Sequence, residues 1–199
     1  KSEGNGEATI DYGYAYEVDA LVEHLDLHNF IIIGHSMGGG VVMSYVLNPE
    51  FSNPNALVLV DSSPTLNLPK VIPRLLIEAV EESRRRDHPA FDEYAEKINM
   101  KQYEHSMKYL DPIAMQRDLR ACNKFDSSDR INDITIPTFA LVGENDNVIT
   151  PAIVKHYIEQ IPRADLAVIR GADHVPMIEQ PEEFNRLLYK FITWVQENA

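Results

Sequence analysis

The segment Gly34-His35-Ser36-Met37-Gly38 sets one hydroxyl between two glycines, where the apolar run NFIIIG (29–34) gives way to a second one, MGGGVVMSYV (37–46). The pattern Gly-x-Ser-x-Gly fits a very tight strand-to-helix turn, which strains the backbone of its middle residue and lifts the hydroxyl clear of the sheet. Small flanking residues are expected because backbones pass close by. A helix starting just after the serine brings its positive end and free amides to any developing oxyanion, and the Met37 amide is the natural first donor. The chemistry this allows is nucleophilic attack by Ser36 on an acyl carbon.

A serine hydroxyl is a poor nucleophile near neutral pH, so it needs a base, and the base needs an acid to orient it. The stretch LVGENDNVITP (141–151) offers Asp146, and IRGADHVPMIEQPEEF (169–184) offers His174. The chain order Ser36, Asp146, His174 is the one expected of a serine elbow. Each residue also has a structural reading. Ser36 reads as a turn serine, although a turn so rich in glycine has no need of a hydroxyl. His174 reads as a cap of a turn or of the next helix. Asp146 reads as an Asx-turn leading into a helix at Pro151. Asp61, at the end of the run ALVLVD (56–61), is a second candidate for the acid, and His35 reads as a packing or hydrogen-bonding neighbour of the serine.

These residues need elements that carry them to one place. Residues 11–25 have apolar positions at helical spacing, and NFIIIG is a short β-branched run, apolar on both faces, that suits a strand covered on both sides. Further strands are expected at 56–61, 136–143 and 164–171, with helices at 37–48, 151–161 and 182–198. Strand and helix alternate, so the fold class is α/β with a mostly parallel sheet. Ser36, Asp146 and His174 then all fall beyond the carboxyl ends of parallel strands and can meet at one edge. Residues 65–133 break the alternation with helical patterns only, far beyond a usual connection, and read as a helical cap inserted over the sheet's ligand crevice. The division is therefore a core of residues 1–64 and 134–199 and a cap of residues 65–133. Apolar cap positions such as Leu75, Leu76, Met107 and Met115 read as cap core or as lining of an acyl pocket.

Composition excludes several classes. With 199 residues, 44% of them hydrophobic, the chain can bury one sizeable core. A net charge of −13 opposes phosphate backbones and anionic membranes, so nucleic acid is not an expected partner. The single cysteine, Cys122, cannot form an internal disulfide, and no apolar run is long enough for a membrane span. A cytoplasmic setting fits. His24 and His28 have a helical metal-ligand spacing, but no Cys or Glu cluster joins them, and Gly38-Gly39-Gly40 lacks the residues of a phosphate loop. No metal and no cofactor are implied.

GHSMGGG, IPTFALVGENDNVITP and GADHVPMIEQPEEFNRLLYKFI together resemble the α/β-hydrolase superfamily, in its branch of small cap-bearing esterases and related serine hydrolases. The resemblance covers almost the whole chain, loosely in the cap. It implies Ser36 as nucleophile, His174 as general base and then acid, Asp146 as orienting carboxylate and Met37 as a backbone oxyanion donor. The expected function is hydrolysis of a small ester or similar acyl substrate through an acyl-enzyme. Cofactor-free peroxidase-like enzymes and carbon–carbon bond hydrolases share this mechanistic space. A ligand-binding or receptor protein on the same scaffold, or an inactive fragment, is the alternative from a different class.

The chain departs from the family pattern in one respect. The serine strand is its first recognisable strand, so the earlier strands and the loop carrying a second oxyanion amide have no counterpart before it. An apolar strand left open on one edge is an aggregation template. An additional amino-terminal segment or a partner chain is therefore expected to complete the sheet.

Overall fold

Along the second strand, side chains alternate between two separate apolar layers, and that alternation decides the architecture. Leu57 and Leu59 join one buried cluster, whereas Val58 and Val60 join another on the opposite face. A computed structural model describes residues 9–66 and 112–198. Its strands are β1 (Ile31–His35), β2 (Ala56–Val60), β3 (Thr138–Gly143) and β4 (Ala164–Ile169), all parallel, in the order β1-β2-β3-β4. The helices are α1 (Ala15–His24), α2 (Met37–Val46), α3 (Pro112–Lys124), α4 (Pro151–Ile158), α5 (Pro176–Glu179) and α6 (Pro181–Asn198). A wide turn at Ile10–Tyr14 leads into α1, and the Thr9 hydroxyl caps it by accepting from the Tyr12 amide at 3.1 Å.

The larger cluster lies on one face, where Val41, Val42, Met43 and Tyr45 of α2, Val22 of α1 and Val154, Tyr157 and Ile158 of α4 meet Ile32, Leu57, Leu59, Ala140 and Val142. On the other face, Phe184, Leu187, Leu188 and Phe191 of α6 pack with Phe139, Leu141 and Ile169. Phe191 stacks on Phe139, with ring centroids 5.1 Å apart. Both faces of β2 and β3 are thus covered, and every residue of these two strands is buried, as a continuous apolar run requires.

At β1 the expectation of a strand covered on both faces holds in part, since Ile31 packs against the second cluster. Ile32 is buried, but Ile33 on the opposite face is 45% exposed. The stripe of α6 packs on Phe139, Leu141 and Ile169 and leaves Ile33, at the far edge, outside the cluster. Among the described residues β1 has β2 as its neighbour on one side and none on the other.

Most of the segment read as a cap, 67–111, lies outside the described residues. Its two ends come together: Thr65 and Asp126 form an antiparallel bridge, and the Ser127 amide donates to the Pro64 carbonyl at 2.9 Å. The described helix of this segment, α3, packs inward through Ala121 and Cys122, with Phe125, Ile131 and Ile134 beyond it, so the last part of 65–133 is continuous with the main core. The Tyr14 hydroxyl donates to the Asp118 carboxylate and the Arg130 guanidinium donates to the Leu47 carbonyl at 2.7 Å, which ties α3 and its exit to the amino-terminal half.

Candidate active site

At the end of β1 the chain reverses direction within one residue. Ser36 has φ 51° and ψ −119°, a region that costs a non-glycine residue about 1–3 kcal/mol. Its surroundings hold it there. The Ser36 amide donates to the Val60 carbonyl at 2.9 Å, while its own carbonyl accepts from the Gly39 amide at 3.0 Å and from the Ser62 hydroxyl at 2.8 Å. Met37 opens α2, so its amide is among the first-turn donors that no intrahelical carbonyl can satisfy.

The need for small residues is met unevenly. A Cβ on Gly34 would lie 2.3 Å from the Gly38 carbonyl oxygen, so the first glycine of the motif is dictated by backbone contact. Gly38 has open space where its Cβ would be. The crowded position is Gly39, outside the motif, where a Cβ would fall 2.1 Å from Ser62 Oγ. Gly34→Ala is therefore expected to destabilise by about 1–3 kcal/mol or more through overpacking against backbone. Gly38→Ala, inside a helix, is expected to be neutral or stabilising by up to about 1 kcal/mol. Denaturant melts of the two variants check the contrast.

His174 and Asp146 arrive from the loops after β4 and β3. These loops are lashed together, the Asn145 amide donating to the Ala172 carbonyl and the Gly171 amide to Glu144 Oε2 at 2.9 Å, and the Asp173 amide ties the second loop to α5 through Glu179 Oε2 at 2.6 Å. His174 Nε2 lies 3.0 Å from Ser36 Oγ, and His174 Nδ1 lies 2.8 Å from Asp146 Oδ2. The other carboxylate oxygen of Asp146 accepts from the Val148 amide at 2.7 Å and the Ile149 amide at 3.0 Å. One side chain thus makes the Asx-turn through Oδ1 and the contact with His174 through Oδ2. Burial would raise its carboxyl, but the His174 contact and the two amides outweigh that and hold it below the usual carboxylate range.

Sequence reasoning missed two supports. The Ser62 hydroxyl behind the elbow carries no motif signal. Glu179, at the end of α5, braces the loop that carries His174. His35, read from sequence as a packing or hydrogen-bonding neighbour of the serine, makes its hydrogen bond to the base's backbone: its Nε2 donates to the carbonyl of His174 at 2.7 Å. Burial pushes the His35 imidazole below its usual range, against the pull of that carbonyl, so the ring serves as a neutral donor.

Asp61 is brought to the same place without reaching the histidine as a hydrogen-bond partner. It is fully buried at the end of β2, with φ 42°, and its Oδ1 accepts from the Gly143 amide at 2.9 Å. Asp61, Asp146 and His174 each offer an atom within 4.8 Å of the others, which is a spacing that could hold a metal ion. The Asp146 and His174 atoms are already committed to each other and to backbone amides. His28, on the surface, is 3.0 Å from Asp26 Oδ1.

Such a site belongs to proteins that do chemistry at the carboxyl edge of a parallel sheet covered by helices on both faces, with a serine raised on a strand-to-helix elbow. The chain belongs to the α/β-hydrolase family, whose model matches residues 3–187. It is 26% identical to the proline iminopeptidase of Thermoplasma volcanium, over 92% of this chain and 72% of that protein. It is 23% identical to a non-heme chloroperoxidase of Kitasatospora aureofaciens, over 90% and 73% of the two chains. Among solved structures, a carboxylesterase of the thaumarchaeon Nitrososphaera gargenis superposes with a TM-score of 0.80 at 22% identity, covering 100% of this chain and 77% of that one. That likeness carries the fold. No helix among the described residues is long and apolar enough to cross a membrane.

Proposed function

We propose that the protein is a serine hydrolase that cleaves a small ester or related acyl substrate through an acyl-enzyme. The observation that carries the reading is the unbroken line from Ser36 Oγ to His174 Nε2 at 3.0 Å and from His174 Nδ1 to Asp146 Oδ2 at 2.8 Å. In this reading Ser36 Oγ attacks the acyl carbon and passes its proton to His174 Nε2. The oxyanion forms beside the Met37 amide, at the positive end of α2. His174 then protonates the leaving alcohol, and water, activated by the same nitrogen, releases the acid. Asp146 keeps the proton of the resting imidazole on Nδ1, so that Nε2 is free to accept.

Labelling with a fluorophosphonate tests this, because the reagent reacts with an activated serine. The expected result is a single label on Ser36, lost in Ser36→Ala, together with hydrolysis of p-nitrophenyl acetate by the unlabelled protein. An unlabelled parent would leave a ligand-binding role on the same scaffold instead. The similarity to a chloroperoxidase favours a second reading of the same site, in which hydrogen peroxide rather than water takes the acyl group and a peracid is released. Product analysis with and without peroxide separates the two.

A further inference from the structure

We propose that Asp61 is a positioning residue that holds a proton at neutral pH and donates it to the Asp146 carboxylate, so that the acid end of the triad is a carboxylic acid–carboxylate pair carrying one negative charge. The inference rests on the triad reading of Asp146 and His174 for its purpose, but not for its chemistry. The chemistry begins with an orphan. Asp61 is fully buried, its Oδ1 is satisfied by the Gly143 amide, and its Oδ2 is buried with no hydrogen-bond partner among the described residues. A carboxylate oxygen left bare in the interior is costly. The groups around it are acidic. A carboxyl oxygen of Asp61 and one of Asp146 lie within 4.8 Å of each other, Glu179 adds a further negative charge, and the buried phenol of Tyr157 on α4 faces the same region. Of the two histidines nearby among the described residues, His174 is engaged by Asp146 and His35, buried and neutral, donates to the His174 carbonyl.

Two carboxylates at this distance do not both ionise in the interior, and the proton goes to the one with fewer donors. Asp146 has three hydrogen-bond donors in the Val148 and Ile149 amides and His174, whereas Asp61 has the Gly143 amide. Burial, with Asp146 and Glu179 adding to it, raises the Asp61 carboxyl well above its ordinary range, in the same direction as the geometry. The proton gives the orphaned oxygen a donor role, adds a donor to Asp146 beside His174, and leaves one negative charge to match one imidazolium.

Three measurements test the proposal, two of which need no catalysis. The infrared difference between parent and Asp61→Asn at neutral pH is expected to contain the carbonyl band of a protonated carboxylic acid, shifted in heavy water. The stability difference between the same two proteins is expected to change with pH. Unfolded Asp61 ionises near its ordinary 3.8 while folded Asp61 keeps its proton, so between pH 5 and 8 the parent unfolds more readily, relative to the variant, by about tenfold in the unfolding constant per pH unit. In the esterase assay, Asp61→Ala is expected to lose more than tenfold in kcat with KM little changed. Asp61→Asn keeps an N–H donor and tolerates positive φ, so it is expected to recover at least tenfold over the alanine variant. No acid band, or a stability difference flat with pH, overturns the proposal, and so does an asparagine variant no better than alanine. If the parent hydrolyses no ester at all, the proposed function fails while the first two measurements still decide the protonation of Asp61.

Discussion

Ser36→Ala is expected to lower ester turnover by about 10⁶-fold while leaving the fold in place. The size of the effect follows from the way the three side chains act as one unit. Without Oγ, His174 Nε2 has nothing to activate, and what remains is binding and the amide of Met37, a residue of catalysis roughly 10³- to 10⁴-fold over water. The fold survives because the elbow is pinned through the backbone of Ser36, by Val60, Gly39 and the Ser62 hydroxyl, and not through its side chain. Loss of the bond to His174 costs about 1 kcal/mol. Ser36→Gly is a useful companion. It loses the same activity, yet it relieves the strain at φ 51° and is expected to melt above the alanine variant. Turnover of either variant within tenfold of the parent would remove Ser36 from the reaction, and a glycine variant melting below alanine would remove strain from the description of the elbow.

Asp146→Asn is expected to cost about 10⁴-fold in kcat with no loss of shape. The argument comes from the carboxylate's two unlike oxygens. Oδ1 sits against the amides of Val148 and Ile149, which will accept only an oxygen in that place, so an asparagine must turn its NH₂ toward His174. That NH₂ donates to Nδ1 and drives the imidazole proton to Nε2, where it blocks acceptance of the Ser36 proton. The variant therefore fails by tautomer, not by disorder, and its thermal stability at neutral pH stays near the parent's apart from the lost charge contact. Below the ordinary carboxylate range the parent loses that advantage. The folded carboxyl of Asp146 is held low, so the stability it supplies is present above 3.8 and disappears as pH falls through the lower folded value. Asp61→Asn is expected to cost far less in kcat. Measured rates in the reverse order would move the acid to the end of β2.

The elements legible in sequence were those with a strong local signal. The run NFIIIG, the helical stripe that became α6 and the Pro151 start of α4 each carry their own local signal, and they fold within a few residues of where the pattern puts them. The serine elbow was legible for the same reason: a strained turn restricts residue types at fixed spacing. The meeting of Ser36, His174 and Asp146 could be anticipated only because parallel strands bring their carboxyl ends to one edge.

What the sequence left open was decided by contacts between residues far apart along the chain. Asp146 and Asp61 both follow apolar strands, and it is the family resemblance of the motif around Asp146, not a contact readable in sequence, that favours it. The difference is that the loop after β4, tied to the loop after β3, delivers His174 to Asp146, while Asp61 spends one oxygen on Gly143. The motif could not reveal that Gly39 rather than Gly38 is the crowded glycine, because the crowding comes from Ser62 on the next strand's exit. The exposure of Ile33 was equally hidden. An apolar residue on a strand is buried only where a helix lies over it, and the placement of α6 toward Phe139 and Ile169 is set by packing across the sheet, not by anything in residues 29–34.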